Sequence, residues 1–209
     1  MKLSKSTLGW MFYDFANSAF TTVIVSVVYS YYFVHVVAKG PEGYGDHLWG
    51  LAVGISMTLV AITAPFLGAV ADYSSAKKKL LIFFTYITII FTALLYFVKT
   101  GDVLAGMIFF IIANYGFNSA NVFYDAFLPE VSTPKTIGKV SGFGWALGYL
   151  GGLLSLVVSL KLQASNISLV FPMISLHVMF FSLITFFLLK EIRRPYRKTN
   201  YFKVAVRRT

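Results

Sequence analysis

Residues 15–38 read FANSAFTTVIVSVVYSYYFVHVVA, 24 consecutive positions without an Asp, Glu, Lys or Arg. A helix rises about 1.5 Å per residue, so a run of roughly 20 apolar residues crosses the ~30 Å of bilayer hydrocarbon. The same pattern returns at 48–71, 80–98, 103–124, 140–160 and 162–189, and the six runs hold 138 of the 209 residues. Only 12% of the chain is charged, about half the fraction of an ordinary soluble domain. A soluble globular domain and a disordered chain are excluded. So is an outer-membrane barrel, whose strands are about ten residues long and alternate in polarity. The expectation is an all-α membrane protein of six transmembrane helices, with spans near 11–38, 48–71, 80–98, 103–124, 138–160 and 167–189.

The net charge of +10 would point to nucleic acid in a soluble protein, but its distribution explains it otherwise. With a cytoplasmic N-terminus, 15 Lys and Arg fall on inside segments, and only Lys39, Lys99 and Lys161 fall outside. That asymmetry is the positive-inside bias of a membrane protein, so both termini are expected in the cytoplasm and no nucleic-acid partner is expected. Residues 190–209 read as a basic cytoplasmic tail, or the start of an inter-half linker, able to rest on anionic headgroups of the lipid bilayer. The first apolar run is too long for a signal-peptide core and lacks a small-x-small cleavage site, so it counts as span 1. The chain has no cysteine, hence no disulfide and no thiolate ligand. No phosphate-binding loop, zinc-ligand cluster or Ser-His-Asp order is present, so no enzyme, metal or cofactor is expected. His35 and His177 read as hydrogen-bonded packing residues, and His47 as solvated at the outer mouth of span 2.

Two spans carry polar stripes. At 100° per residue, Asp14, Asn17, Ser18, Thr21, Tyr29 and Tyr32 of span 1 fall within about 60° of one direction. Val23, Val27, Val34 and Val37 fall near the opposite, lipid-suited side. Span 4 places Asn114, Asn118, Asn121 and Asp125 at i, i+4, i+7 and i+11. The two spans run in opposite directions, so each carries its acidic residue near the cytoplasmic face and its amides deeper, as in an inverted three-plus-three repeat. Interhelical hydrogen bonding accounts for one such amide. Matched stripes exceed what bundle assembly needs and point to the lining of a wet cavity.

Span 5 reads S-G-F-G-W-A-L-G-Y-L-G-G, with Gly144, Gly148 and Gly152 spaced by four for close helix approach. Trp145 and Tyr149 flank that stripe and can line a pore as polar-tipped aromatics. After span 2 the chain runs G68-A-V-A-D72-Y-S-S-A-K77-K-K. Asp72 sits on the helical face of Gly68, where it can pair with a Lys or cap a helix N-terminus as a cytoplasmic latch.

The strings W10-M-F-Y-D14-F-A-N17-S-A-F20, P65-F-L-G-A-V-A-D72, Y124-D-A-F-L-P-E130 and S141-G-F-G-W-A-L-G-Y-L-G-G152 resemble one group of the major facilitator transporters. It is the bacterial and fungal group that includes the vacuolar amino-acid effluxers linked to autophagy. The resemblance implies a rocker-switch secondary transporter of two six-helix halves, with spans 1 and 4 lining a central site. It also implies a charged gate at the loop between spans 2 and 3, where Tyr73 and Ser75 or Ala76 depart from the usual basic residue and Gly. Family members carry about twelve spans, so the chain corresponds to the N-terminal half.

The leading expectation is therefore a transporter half moving a small polar solute, such as an amino acid, by alternating access. A second six-helix half, supplied by a homodimer or a separate chain, completes it. The substrate-cavity candidates are Asp14, Asn17, Thr21, Asn114, Asn118, Asn121, Trp145 and Tyr149. The coupling or gating candidates are Asp14, Gly68, Asp72 and Asp125. The alternative is a truncated or non-transporting membrane scaffold. The sequence context points to a prokaryotic plasma membrane, with a vacuolar or other organelle membrane as the alternative.

Overall fold

The computed structural model describes residues 4–73 and 76–192. The tail beyond 192, and Ser75 of the loop signature, lie outside the described residues. Every regular element among the described residues is helical. We label α1 Lys5–Val37, α2 Tyr44–Tyr73, α3 Lys77–Leu94, α4 Val103–Asp125, α5 Ile137–Asn166 and α6 Val170–Leu188. A single helical turn, Leu128–Val131, lies between α4 and α5. Five apolar helical stretches are long enough to cross a membrane, and the last runs from Ile137 to Leu188. Within it a 3-10 turn at Ile167–Leu169, entered through an extended Asn166 (φ −161°, ψ 109°), separates α5 from α6.

Helix α1 starts where Ser4 accepts the Thr7 amide at 3.0 Å, an N-cap that satisfies one orphan donor. It is the most enclosed element together with α4: 44% of the apolar window of each is buried, against 17% for α2. Two packed clusters surround it. Near its N-terminal end Trp10, Tyr13, Leu81, Phe84, Phe123 and Phe127 are buried together. Near its C-terminal end Phe20, Ile24, Tyr29, Phe33, Phe110 and Phe171 form the other cluster.

Beyond Ala19 the helix changes character. Phe20–Val27 and Phe33–Val37 adopt π-helical geometry, in which each turn takes in an extra residue. The 100° phasing expected from the sequence therefore slips after Phe20. Val23 and Val37, expected toward lipid, are 0% and 1% exposed. Tyr29 and Tyr32, expected on the polar stripe, turn into the core and donate to the Gly106 and Val98 carbonyls at 2.9 Å each. Val27, expected on the same side, is 39% exposed, so α1 keeps an open side that Val23 and Val37 do not share.

Helix α5 lies along α1 through its glycines. A Cβ on Gly148 would stand 2.7 Å from Ser18 Oγ, and one on Gly151 would run into the Phe15 backbone. Gly151 falls outside the four-residue glycine spacing, yet its contact is with main chain and cannot relax by a rotamer change. On the far side of α1, Ser6 Oγ donates to the Leu188 carbonyl (3.3 Å) and His177 Nε2 to the Phe15 carbonyl (3.2 Å). Both pairs show α6 running antiparallel to α1.

Gly151→Ala is expected to destabilise the protein by about 1–3 kcal/mol through forced helix separation. Gly142→Ala, where a Cβ meets nothing within 4 Å, is expected to be neutral or to gain up to about 1 kcal/mol of helix propensity. Thermal unfolding of the two variants in one detergent distinguishes them.

Candidate functional site

The ordinary α geometry of α1 up to Ala19 puts Asp14, Asn17 and Ser18 on one face, and Thr21 and Thr22 follow at the start of the π segment. On α4 the spacing of Phe117, Asn121, Tyr124 and Asp125 gives a matching face. Together with Trp145, Gly148, Tyr149, Leu153 and Leu156 of α5, these residues line a cavity of about 670 Å³. Its lining carries two carboxylates and no Lys, Arg or His.

One hydrogen bond joins the two polar faces: Asn17 Nδ2 donates to Asn121 Oδ1 at 2.9 Å. Beside it the Asp14 carboxylate faces the Tyr124 hydroxyl. Neither Asp14 Oδ2 nor that hydroxyl, both buried, makes a well-formed hydrogen bond. The Tyr124 ring is fixed from both sides. Trp10 stacks on it at 4.4 Å and donates its indole N–H to the Tyr124 carbonyl (2.9 Å). Tyr13 packs against it at 4.9 Å and is itself tied to Thr85 Oγ1 (2.7 Å). Tyr124 is a lining residue that the sequence reading left unassigned, although it lies three positions after Asn121 on the same face.

The structure brings Asp14, Asn17, Thr21, Asn121, Asp125, Trp145 and Tyr149 to this cavity. It places the other amide candidates elsewhere. Asn114 is buried and donates to Ser56 Oγ of α2 at 2.8 Å. Asn118 donates back to the Asn114 carbonyl at 2.8 Å and does not line the cavity. Gly68 and Asp72 border a separate recess of about 300 Å³ between α2 and α4, shared with Pro65, Val122 and Ala126.

Close to that recess the chain is locked by charge. Lys77, 3% exposed, forms an ion pair with Glu130 and also donates to the Ala126 carbonyl at 3.3 Å. The first amides of α3, those of Lys77 and Lys78, donate to Glu191 Oε1 (2.8 Å) and Oε2 (3.3 Å). Glu191 thus supplies the acceptor and the negative charge that a helix N-terminus favours. Lys78 Nζ donates to the Leu189 carbonyl at 2.7 Å. Three segments distant in sequence meet here, and neither glutamate was singled out by the sequence reading.

Comparison with known proteins matches residues 49–209 to the family described as vacuole effluxer Atg22 like. An uncharacterized MFS-type transporter of Bacillus subtilis, YxiO, is 33% identical over 161 residues, covering 76% of this chain and 38% of that protein. An uncharacterized protein of Aquifex aeolicus is 27% identical over 155 residues, covering 72% of this chain and 37% of its own length. The chain thus spans less than half the length of either relative. Among solved structures, the inward-open xylose transporter XylE of E. coli aligns with a TM-score of 0.64 at 18% identity, covering 88% of this chain and 48% of that one. That likeness is one of fold. The chain belongs to the Atg22-like family of major facilitator (MFS-type) transporters.

Glu130→Leu strands the buried Lys77 charge and is expected to cost about 3–5 kcal/mol of stability. The double variant Lys77→Met/Glu130→Leu is expected to recover most of it, because no uncompensated charge remains. Unfolding of the purified variants in detergent reads both.

Proposed function

We propose, with membership of that family as the premise, that the chain is half of a secondary active transporter moving a small polar solute by alternating access. The observation that carries this reading is the cavity in which Asp14, Asn17 and Thr21 of α1 meet Asn121 and Asp125 of α4. Polar groups at membrane depth are costly unless they face protein or water, and marking a solute path is their usual role.

On this reading α5 and α6 are two crossings, since the 19 residues of α6 span about 28 Å. The chain then crosses six times with both termini in the cytoplasm. Helices α1 and α4 are the corresponding members of an inverted repeat. Asn17, Thr21 and Asn121 bind a zwitterion such as an amino acid, with Trp145 and Tyr149 beside it. Asp14 and Asp125 serve coupling, and Gly68 and Asp72 belong to the cytoplasmic gate. A second six-helix half, another copy or a separate chain, closes the open side. Trp145 and Tyr149 support that role, being 64% and 72% exposed although they line the cavity. The reading places the protein in a prokaryotic plasma membrane.

The test is counterflow of a labelled amino-acid mixture into proteoliposomes holding the full chain, alone and with an adjacently encoded second half. Asn121→Leu removes a partner of the half-buried hydrogen bond to Asn17 and is expected to lower flux about tenfold. Asn118→Leu, off the cavity, is expected to have the smaller effect. Unaltered flux in Asn121→Leu would sink the site assignment, and no flux in either reconstitution would leave the chain a scaffold.

A further inference from the structure

The cavity has a sign. Its lining includes Asp14 and Asp125 and carries no basic side chain to neutralise them. The buried groups around it do not neutralise them either: Asn17 and Asn121 bond each other, and the rings of Trp10 and Tyr13 hold Tyr124. The hydroxyl of Tyr124, only 4% exposed, turns to the Asp14 carboxylate, which thus has a neutral donor beside it and no basic side chain of the lining. A carboxylate in a low-dielectric site without a counter-charge is costly until a cation supplies one. Across the cavity, Trp145 and Tyr149 stand edge to face with ring centroids 6.3 Å apart. Their faces attract a cation and repel an anion.

We infer that this wall recognises a protonated amine: its ammonium group is taken up by the Asp14 and Asp125 carboxylates, and its substituent rests against Trp145 and Tyr149. Charge-assisted hydrogen bonds to a carboxylate are the strong ones, and an ammonium brings three donors to a site rich in acceptors. A solute that is anionic overall meets two like charges on this wall. The inference rests on the transport reading of the cavity and narrows its solute to amine-bearing molecules, cationic ahead of zwitterionic and zwitterionic ahead of anionic.

Three probes with one ring and different charge test it: phenethylamine, phenylalanine and 3-phenylpropionate, titrated calorimetrically into the purified full chain at neutral pH. Affinity is expected to fall in that order, with the amine at least about tenfold tighter than the acid. Asp14→Asn is expected to weaken phenethylamine about tenfold and leave 3-phenylpropionate unchanged or tighter. Asp125→Asn, at the exposed end of α4, tests the same point if Asp14→Asn does not fold. The assignment is overturned if the acid binds as well as the amine, if the amine shows no saturable binding, or if both variants bind it like the parent. Flux without this order overturns the amine assignment and leaves transport standing. The order without flux overturns transport and leaves the assignment.

Discussion

The hydrogen bond between Asn17 and Asn121 sets the level at which the polar faces of α1 and α4 meet, and the cavity depends on it. Hydrocarbon offers an amide no partner, so a carboxamide at membrane depth must find one in the protein or in trapped water. Pairing these two fixes α1 against α4 at one level. Asp14 and Thr21 then fall one turn to either side along α1, and Tyr124 and Asp125 one turn along α4. The third wall follows from a different requirement. Helix α5 reaches this level because Gly148 and Gly151 have no Cβ to hold it away from Ser18 and Phe15. A bulkier face there would carry Trp145 and Tyr149 out of reach of the cavity.

How much of this was legible in the sequence depends on which physical signal each residue sends. Charge-free runs report hydrocarbon thickness directly, so the apolar helices could be read one by one. Helical phasing identifies a face only while the backbone keeps an α period. Asn17 and Asp14 precede the π segment of α1 and fall where the wheel puts them, whereas Tyr29 and Tyr32 follow part of it and do not. A wheel also discards height. Asn114 and Asp125 share a face on paper but stand roughly 16 Å apart along α4, and the neighbour changes over that distance. At the level of Asn114 it is Ser56 of α2; at the level of Asn121 it is Asn17 of α1. Lys77 and Glu130 stand in strings quoted from the sequence, but nothing there joins them to each other or to Glu191, because the three come from segments with no shared period. Gly151 was hidden for a related reason: the four-residue rule finds a smooth stripe, and the tightest backbone approach lies one position off it.

The charged and polar groups of this chain meet the same solvent problem in two ways, and the contrast separates structure from chemistry. Lys77 and Glu130 are buried and paired with each other, and further bonds fill their surroundings. The Glu191 carboxylate is likewise taken up by the α3 amides. Such an arrangement resists water and tolerates little motion. At the cavity the pairing is left incomplete. Asp14 has the Tyr124 hydroxyl beside it, on a ring packed between Trp10 and Tyr13, and no basic side chain of the lining to balance its charge. A site whose carboxylates lack a counter-charge is poor as a fastener, because it gives up the energy that pairing would supply. It is good as a receptor, since a solute that supplies the missing partners gains what the protein left unspent. The interlock and the cavity share no residue: one ties α3, the Leu128–Val131 turn and the segment after α6 together, and the other is walled by α1, α4 and α5.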